Sequence, residues 1–429
     1  MAAELPSSNL QVESRPSSSH RLIAGFGAVF VLAATLAAVM GNPAAGLEDG
    51  VSLCPARFPL TRDGSTLEIP YCSSHSLSAP NEEIQRLVVV IQGASRNAEG
   101  YLESVVEAAE SAGVEDQTLI VAPQFLIDDD LAENPMPAAL YWSSSGWKIG
   151  DRSLSSSYRR PWSMSSFSVV DTLIARLSNG DLFPNLTDIV VAGHSAGGQF
   201  VNRYAAGTSI DAQARRFGKH VRFVVANPSS YLYLSDRRPR PGRVDSFRRL
   251  TESERRRCRN YNRYKYGLTY LNDYMSLTGA SGLTQRYASQ EVIYLLGEED
   301  TDRSDPLLDT TCAAKWQGPD RLSRGIAYHN YLGHLFGPAI HDRHRLSVVP
   351  GAGHDSGEMF DSTQGRSSLF DDTASDAGAT GVAIQSRPRV SRGRARGSSS
   401  WARTAAGRPS SFVSTLRLVA TRDADRGRR

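Results

Sequence analysis

A serine flanked by small residues stands in the stretch VVAGHSAGGQFVNRYA, residues 190–205. Gly193-His194-Ser195-Ala196-Gly197 fits the pattern G-x-S-x-G, in which an apolar strand turns sharply into a helix and pushes the middle side chain outward. Small neighbours are needed because such a turn is crowded. Ser195 is therefore the candidate nucleophile, and the alternative is an inert serine in a tight turn.

A serine hydroxyl is a weak nucleophile unless a base takes its proton and a third group orients that base. His354 is the candidate base, because it follows an apolar run on the short Gly-rich loop PGAGHDSG. The candidate acids lie in YLLGEEDTDRSD, where we prefer Asp300, the third residue after the run. Asp302 comes next, followed by Glu299 or Asp305, and the acids that are not used are expected to form a solvated loop.

Acyl transfer also needs N–H donors for the oxyanion that develops on the carbonyl oxygen. One donor is expected from the residue after the nucleophile and one from the loop after an earlier strand. The N–H groups of Ala196 and of Ala94, in VVIQGASRNAEGY, are the candidates. Both are backbone groups, so this assignment depends on geometry rather than on side-chain type.

Short apolar runs alternate with helical patterns along the part of the chain that must position these residues. Runs of this length and apolar content, separated by helices, predict a mostly parallel sheet with helices on both faces, an α/β fold. The predicted strands are 87–93, 118–123, 188–193, 222–228, 291–297 and 344–350. We expect this domain to span residues 54–373. A Trp/Ser-rich loop at 124–165 and a lid-like insertion at about 229–290 interrupt it.

Four stretches of the chain occur in the order expected for one hydrolase superfamily. IQGASRNAEGY, GHSAGG, LLGEEDTD and PGAGHDSGEMF resemble the α/β-hydrolases over about residues 85–370. They are most similar to a secreted-type group of serine hydrolases whose oxyanion stretch reads IHG-x-x-RNA, where Gln92 replaces the usual His. The resemblance implies the α/β-hydrolase fold and hydrolysis of esters, amides or related bonds. The same superfamily contains members without activity.

The expected function is a serine hydrolase that cleaves an acyl bond, most simply a carboxylester, through Ser195, Asp300 and His354. The alternative is a non-catalytic binding or scaffold protein of the same fold. No metal or cofactor is required for this chemistry, and the substrate is expected to be a small or acylated molecule of unspecified identity. The body carries net charge −6, because the tail from residue 374 contains twelve Arg and three Asp in a chain of net +3. We therefore expect no nucleic-acid partner.

The N-terminus contains 19 uncharged residues, 22–40, after a Ser/Pro-rich segment, 1–21. About 20 apolar residues suffice for a helix to cross a bilayer. The run is predicted to be a signal anchor, which would attach the protein to a membrane, or a cleaved signal peptide. Either interpretation predicts that the hydrolase domain is lumenal or extracellular. The Arg/Ser-rich tail, 374–429, is expected to be disordered.

The cysteine content agrees with an oxidising compartment. The four cysteines form no CxxC pair, and an even number in a secreted protein suggests disulfides. Cys54 and Cys72 flank two short predicted strands around an Asp-Gly turn, so a hairpin would pair them. Cys258 and Cys312 would then form the second bridge, and four free thiols are the alternative. Asn185 begins the sequon Asn-Leu-Thr and is the candidate glycosylation site.

Overall fold

A computed structural model of the protein describes residues 52–371. The predicted N-terminal segments 1–21 and 22–40 and the tail 374–429 lie outside these residues. Within 52–371, every helix is too short or too polar to span a bilayer.

The described chain alternates strands with helices, as an α/β fold requires. The strands are β1 (Ala56–Arg62), β2 (Ser65–Ser73), β3 (Arg86–Ile91), β4 (Thr118–Pro123), β5 (Leu126–Ile127), β6 (Tyr141–Trp142), β7 (Asp188–His194), β8 (His220–Ala226), β9 (Arg237–Pro239), β10 (Phe247–Arg249), β11 (Val292–Gly297) and β12 (His344–Val349). The α-helices are α1 (Ala98–Ala112), α2 (Asp128–Glu133), α3 (Ser166–Leu177), α4 (Ala196–Gly207), α5 (Ile210–Arg215), α6 (Glu252–Arg257), α7 (Asp273–Ser276), α8 (Gly279–Ser289), α9 (Cys312–Lys315), α10 (Arg321–Phe336), α11 (Ser356–Phe360) and α12 (Thr363–Phe370). Short 3-10 turns span Glu115–Gln117, Trp147–Ile149 and Pro338–Asp342.

Eight strands form one sheet in the order β1-β2-β4-β3-β7-β8-β11-β12. The pairs β1–β2 and β2–β4 are antiparallel, and all the other neighbours are parallel. Each of the six predicted runs overlaps one of the strands from β3 to β12, so the prediction of a mostly parallel sheet is confirmed. The parallel strands bring their carboxyl ends, and the loops that follow them, to one edge.

The sheet is buried on both faces because its central strands are apolar throughout. Every residue of β3, β4, β7 and β11 is buried. Alternate residues of β3 enter different cores: Leu87, Val89 and Ile91 join one apolar cluster, and Val88 and Val90 join the other. Helices cover both faces, so the sheet provides a rigid base for the loops at its edge.

The two segments expected to interrupt the domain contain structure of their own. The segment 124–165 carries β5, α2, β6 and one 3-10 turn, and its Trp142 and Trp147 are buried. The segment 229–290 carries β9, β10, α6, α7 and α8, and its first residues, including Tyr231 and Tyr233, are fully buried. Parts of both segments are therefore packed into the main core.

A charged network lies where β7, β8 and β11 begin, away from the candidate site. Asp188 accepts hydrogen bonds from Arg86 at 2.8 Å and from Arg222, and it lies 3.3 Å from His220 Nδ1. His220 Nε2 lies 3.0 Å from Glu291. The hydrogen bonds to these two carboxylates raise the pKa of His220 to about 9. The charged imidazole thus links neighbouring strands.

The structure contains both predicted disulfides. Cys54 is bonded to Cys72 across the β1–β2 hairpin, and Cys258 is bonded to Cys312. No free cysteine is present among the described residues. Disulfides persist in oxidising compartments, so the pair indicates an extracellular or lumenal environment. Asn185 is exposed, and its Nδ2 donates to the carbonyl of Glu82 at 2.7 Å.

Candidate active site

Ser195 occupies the turn between β7 and α4. Its backbone has φ 57° and ψ −114°, in a region that residues other than glycine seldom adopt. Its N–H donates to the carbonyl of Ala226, at the end of β8, at 3.0 Å. The turn is therefore held by the neighbouring strand, and such backbone strain persists only where the surroundings fix it.

The glycines around Ser195 are required by close backbone contacts. A Cβ on Gly197 would lie 2.0 Å from the carbonyl oxygen of Ile91, and a Cβ on Gly198 would lie 2.4 Å from that of Ala226. Main-chain atoms of a buried sheet cannot move aside as a flexible side chain can. The start of α4 is thus pressed against the ends of both strands that flank β7.

His354 and Asp300 complete a continuous hydrogen-bonded chain with the serine. His354 lies in the loop after β12, and its Nε2 is 3.0 Å from Ser195 Oγ. Asp300 lies in the loop after β11, and its Oδ2 is 2.7 Å from His354 Nδ1. With the Nδ1 proton directed at the carboxylate, Nε2 is free to accept the serine proton.

The other candidate acids have different partners. Asp302 accepts hydrogen bonds from the N–H and hydroxyl of Ser304. Asp305 accepts from Arg321 at 2.7 Å, and Glu299 is exposed. Among the described carboxylates, Asp300 is the one that bonds to His354. The geometry therefore favours Asp300 over the three alternatives.

Arg321, in the first turn of α10, contacts the far side of Asp300. Its Nη1 lies 3.4 Å from Asp300 Oδ1 and donates to Asp305, and the side chain is fully buried. Its Nε and Nη2 have no hydrogen-bond partner among residues 52–371. The guanidinium places a donor at the carboxylate oxygen that His354 does not use. Nothing in the sequence near Asp300 pointed to this residue.

His194 lies directly beside the candidate base. The ring centroids of His194 and His354 are 4.5 Å apart, and His194 is almost completely buried. Burial, reinforced by the charges of His354 and Arg321, lowers the pKa of His194 well below its usual value. Its Nδ1 is 3.3 Å from the hydroxyl of Tyr101. A neutral ring here adds no charge beside an imidazolium on His354.

Asn227 links the loops that carry the acid and the base. Its Oδ1 accepts from the N–H of Gly297 at 2.9 Å, and its Nδ2 donates to the carbonyl of Gly353 at 3.1 Å. The side chain is fully buried, and the residue follows β8 directly. Asn227 lies within the predicted strand 222–228, and the sequence prediction assigns it no function in the site. Its place after an apolar run is the signal that could have identified it.

The two candidate oxyanion donors lie on adjoining elements. Ala196 is the first residue of α4, so its N–H has no carbonyl partner inside the helix. Ala94 lies in the loop between β3 and α1, and the contact between Gly197 and the end of β3 brings this loop to the start of α4. The Gln92 side chain bonds to both backbone groups of Phe125. It thereby anchors the loop to segment 124–165.

The positions of these residues identify the architecture. The candidate nucleophile stands on a strained strand-to-helix turn at the carboxyl edge of a mostly parallel sheet. The order along the chain is Ser, Asp, His, and the loop after β3 borders the nucleophile. The chain has the α/β-hydrolase fold. In this fold the loops at the carboxyl edge of the sheet carry both the chemistry and the selectivity.

Solved structures of other proteins resemble this chain. One is poly(aspartic acid) hydrolase-1 from Sphingomonas sp. KT-1, which is 23% identical, with a TM-score of 0.46 over 72% of this chain and 96% of that chain. Another is LpqC, a poly(3-hydroxybutyrate) depolymerase from Bordetella parapertussis, which is 21% identical, with a TM-score of 0.46 over 70% and 85%. A third is the siderophore hydrolase EstB from Aspergillus nidulans, which is 12% identical, with a TM-score of 0.37 over 75% and 97%. No protein-family model and no curated protein matches the chain.

Proposed function

We propose that the protein is a serine hydrolase that cleaves an acyl bond through an acyl-enzyme intermediate. The observation that carries the proposal is the unbroken hydrogen-bonded chain from Ser195 Oγ through His354 to Asp300, with distances of 3.0 and 2.7 Å. An inert serine in a tight turn would need neither an imidazole hydrogen-bonded to its hydroxyl nor a buried carboxylate hydrogen-bonded to that imidazole.

In the proposed reaction, Ser195 Oγ attacks the acyl carbonyl carbon while His354 Nε2 takes the hydroxyl proton. The imidazolium is stabilised by Asp300 and returns this proton to the leaving group as the tetrahedral intermediate collapses. Water then attacks the acyl-enzyme, again with His354 as base, and releases the acid and free Ser195. The N–H groups of Ala94 and Ala196 are assigned to the oxyanion in both steps.

We assign a carboxylester as the bond that is cleaved. An alcohol leaves a tetrahedral intermediate more readily than an amine does, so an ester makes the smaller demand on His354 as general acid. An amide substrate would need a proton delivered to the leaving nitrogen before the bond could break. The residues assigned here are sufficient for the ester reaction.

A fluorophosphonate probe tests the proposal, because it reacts with an activated serine regardless of the natural substrate. The wild-type protein should be labelled, and Ser195→Ala should not. Ser144→Ala is the matched control, because Ser144 is exposed and its hydroxyl bonds to no described residue, and this variant should be labelled like wild type. If the wild-type protein stays unlabelled where a known esterase reacts, the enzymatic proposal fails and a non-catalytic binding protein takes its place.

We further propose that the domain works outside the cell or in a secretory lumen, attached to a membrane if segment 22–40 is retained. The two disulfides support an oxidising compartment. Protease treatment of sealed cell-derived vesicles tests the topology. The hydrolase domain should be protected in lumen-sealed vesicles and degraded after detergent is added. Degradation without detergent would contradict the lumenal placement.

A further inference from the structure

Lys148 stands beside the oxyanion loop, in the 3-10 turn Trp147–Ile149. The neighbouring Trp147 is buried and stacks on Phe125, with ring centroids 6.0 Å apart and planes 7° apart. Phe125 is bonded through its backbone to Gln92, two residues before Ala94. The turn also packs against α4, the helix that begins at the nucleophile. The position of Lys148 is therefore set by the same elements that frame the site.

A second lysine, Lys265, lies close enough to Lys148 for its charge to act on it. Lys265 Nζ forms an ion pair with Asp309 at 3.0 Å. The N–H of Asp309 donates to Ser229 Oγ, which also accepts from the Gln199 side chain. Gln199 is one helical turn beyond Ser195, so this ion pair lies close to the carboxyl edge that carries the candidate triad.

The positive charges around Lys148 outnumber the negative charges. Arg96 is neutralised by a two-pronged bond to Asp130, and Lys265 is neutralised by Asp309. Arg203 is fully buried, and its guanidinium donates only to uncharged oxygens. Lys148 has neither a hydrogen bond nor an ion pair with any described residue. Of the charged groups that act on Lys148, three are cations and one, Asp309, is a carboxylate, so positive charge is in excess around the ammonium.

The pKa of Lys148 reflects this excess of positive charge. Burial first, and then the charges of Lys265, Arg203 and Arg96, lower the pKa of Lys148 to about 8, against the opposing effect of Asp309. Its Nζ is not among the fully buried polar atoms that lack partners, so the partly desolvated ammonium keeps some contact with solvent. A desolvated ammonium without an anion is costly unless a ligand supplies one.

Resting on the proposed hydrolase function, we infer that Lys148 binds a carboxylate of the substrate, so that the preferred substrates are esters that carry a negative charge. A single unpaired ammonium with three N–H donors matches a monoanion, because the donors of the nearby guanidinium groups are already committed. The chain contains four lysines, at 148, 219, 265 and 315, among 48 basic residues, and two of the four meet here. Unlike arginine, lysine changes its pKa readily when it is buried near other cations.

The first test measures binding without catalysis. Titration calorimetry on Ser195→Ala would use the monomethyl esters of succinate, glutarate and adipate, with the neutral dimethyl ester of each diacid as its control. At least one monoanion should bind tighter than its dimethyl ester. Adding Lys148→Met should weaken that binding about 10- to 100-fold, the range for a lost hydrogen bond between charged groups. Lys315→Met, an exposed lysine away from the triad, should have no effect.

The pH dependence separates a binding role from a structural one. The affinity of Ser195→Ala for the monoanion should fall as the pH rises above about 8, because the free ammonium then loses its proton. The groups that set this value are Lys265, Arg203, Arg96 and Asp309. Lys148→Arg keeps its charge at these pH values and should show no such fall. A fold defect in Lys148→Met would appear as a lower melting temperature and could not reproduce this difference.

The second test uses turnover. The ratio of kcat/KM for the monomethyl and dimethyl esters should favour the monoanion in wild type and should fall about 10- to 100-fold in Lys148→Met. Turnover of neutral esters with no preference for any monoanion would overturn the inference and leave the hydrolase proposal intact. Binding of the monoanion without turnover of any ester, and without fluorophosphonate labelling, would support the anion site and overturn the hydrolase proposal. Absence of monoanion binding to Ser195→Ala overturns the inference outright.

Discussion

Replacing Asp300 with asparagine should inactivate the proposed hydrolase through the tautomer of His354 rather than through loss of structure. Asparagine has the same shape, but one of its two terminal atoms must be the NH₂ group. Arg321 donates toward Oδ1 of residue 300. The amide oxygen of Asp300→Asn should therefore turn toward Arg321, and its NH₂ should turn toward His354 Nδ1. The imidazole must then carry its proton on Nε2, facing Ser195, where it cannot accept the serine proton.

The magnitude follows from two contributions. Holding the imidazole in the unproductive tautomer by a hydrogen bond between His354 and the amide costs roughly 1–1.5 kcal/mol. Loss of the carboxylate removes its attraction for the imidazolium, about 4 kcal/mol for charges about 4 Å apart at an effective dielectric constant near 20. Because the two contributions overlap, we expect kcat to fall by about 10³- to 10⁴-fold.

The assay is steady-state hydrolysis of a neutral ester by Asp300→Asn, with the fluorophosphonate labelling rate as a second readout. Asp302→Asn is the matched control, because this carboxylate is exposed and bonds only to Ser304. The control should retain kcat within about threefold. Both variants should melt near the wild-type temperature. If Asp300→Asn keeps more than a tenth of the wild-type kcat, or if Asp302→Asn suffers the larger loss, the assignment of the acid is wrong.

Three further predictions concern the frame of the site. Gly198→Ala should lower both the melting temperature and the labelling rate, because its Cβ would lie 2.4 Å from the Ala226 carbonyl that holds the serine N–H; a normal labelling rate would contradict the close contact. Replacing Cys258 and Cys312 by serine should lower the free energy of unfolding in urea by up to about 4 kcal/mol, because the bridge closes a separation of 54 residues; a loss below about 1 kcal/mol would count against a role in stability. The pKa of His220 is raised to about 9, so its stabilising effect is complete below about pH 6.5 and disappears as the pH rises through 9. The full shift corresponds to about 3 kcal/mol, which solvent screening of this 45% exposed side chain reduces to roughly 1 kcal/mol; His220→Gln should lack that decline, and equal pH profiles would refute the argument.

The sheet could be predicted because each central strand is recognisable from its own local sequence. Runs such as 118–123 and 291–297 are apolar, short and bounded by turn residues, and they became β4 and β11 with an end shift of at most one residue. The helix α10 was not predicted. Its sequence mixes polar, aromatic and glycine residues, and only the structure shows that its Tyr328, Tyr331 and Leu332 join the main core. The sequence predicts a single insertion at about 229–290, because periodicity cannot show that its first residues enter the core.

The site residues also differ in whether a local sequence signal marks them. Ser195 and His354 each follow a strand-like run within a few residues, so parallel strands must bring them to one edge. The choice of Asp300 over its acidic neighbours rested on its distance from the preceding strand, and the geometry agrees with that choice. Arg321, and Lys148 in its proposed role, could not be predicted, because each lies in a segment without a motif and is positioned by tertiary packing. A local sequence pattern indicates the structure of its own segment. It does not indicate which side chains from distant segments pack against that segment.

The way in which the candidate nucleophile is held bears on how the proposed hydrolase could change its substrate. The turn at Ser195 is positioned by main-chain atoms: the Ser195 N–H donates to the carbonyl of Ala226, and the two glycines that follow it lie against the ends of β3 and β8. Lys148 and Lys265, by contrast, come from segments inserted between core elements. Under the proposed function, substitutions in those segments can alter the charge beside the site while the reacting atoms keep their places. Directed evolution of selectivity should therefore target 124–165 and 229–290, and libraries that touch the glycines of the turn should yield mostly inactive protein.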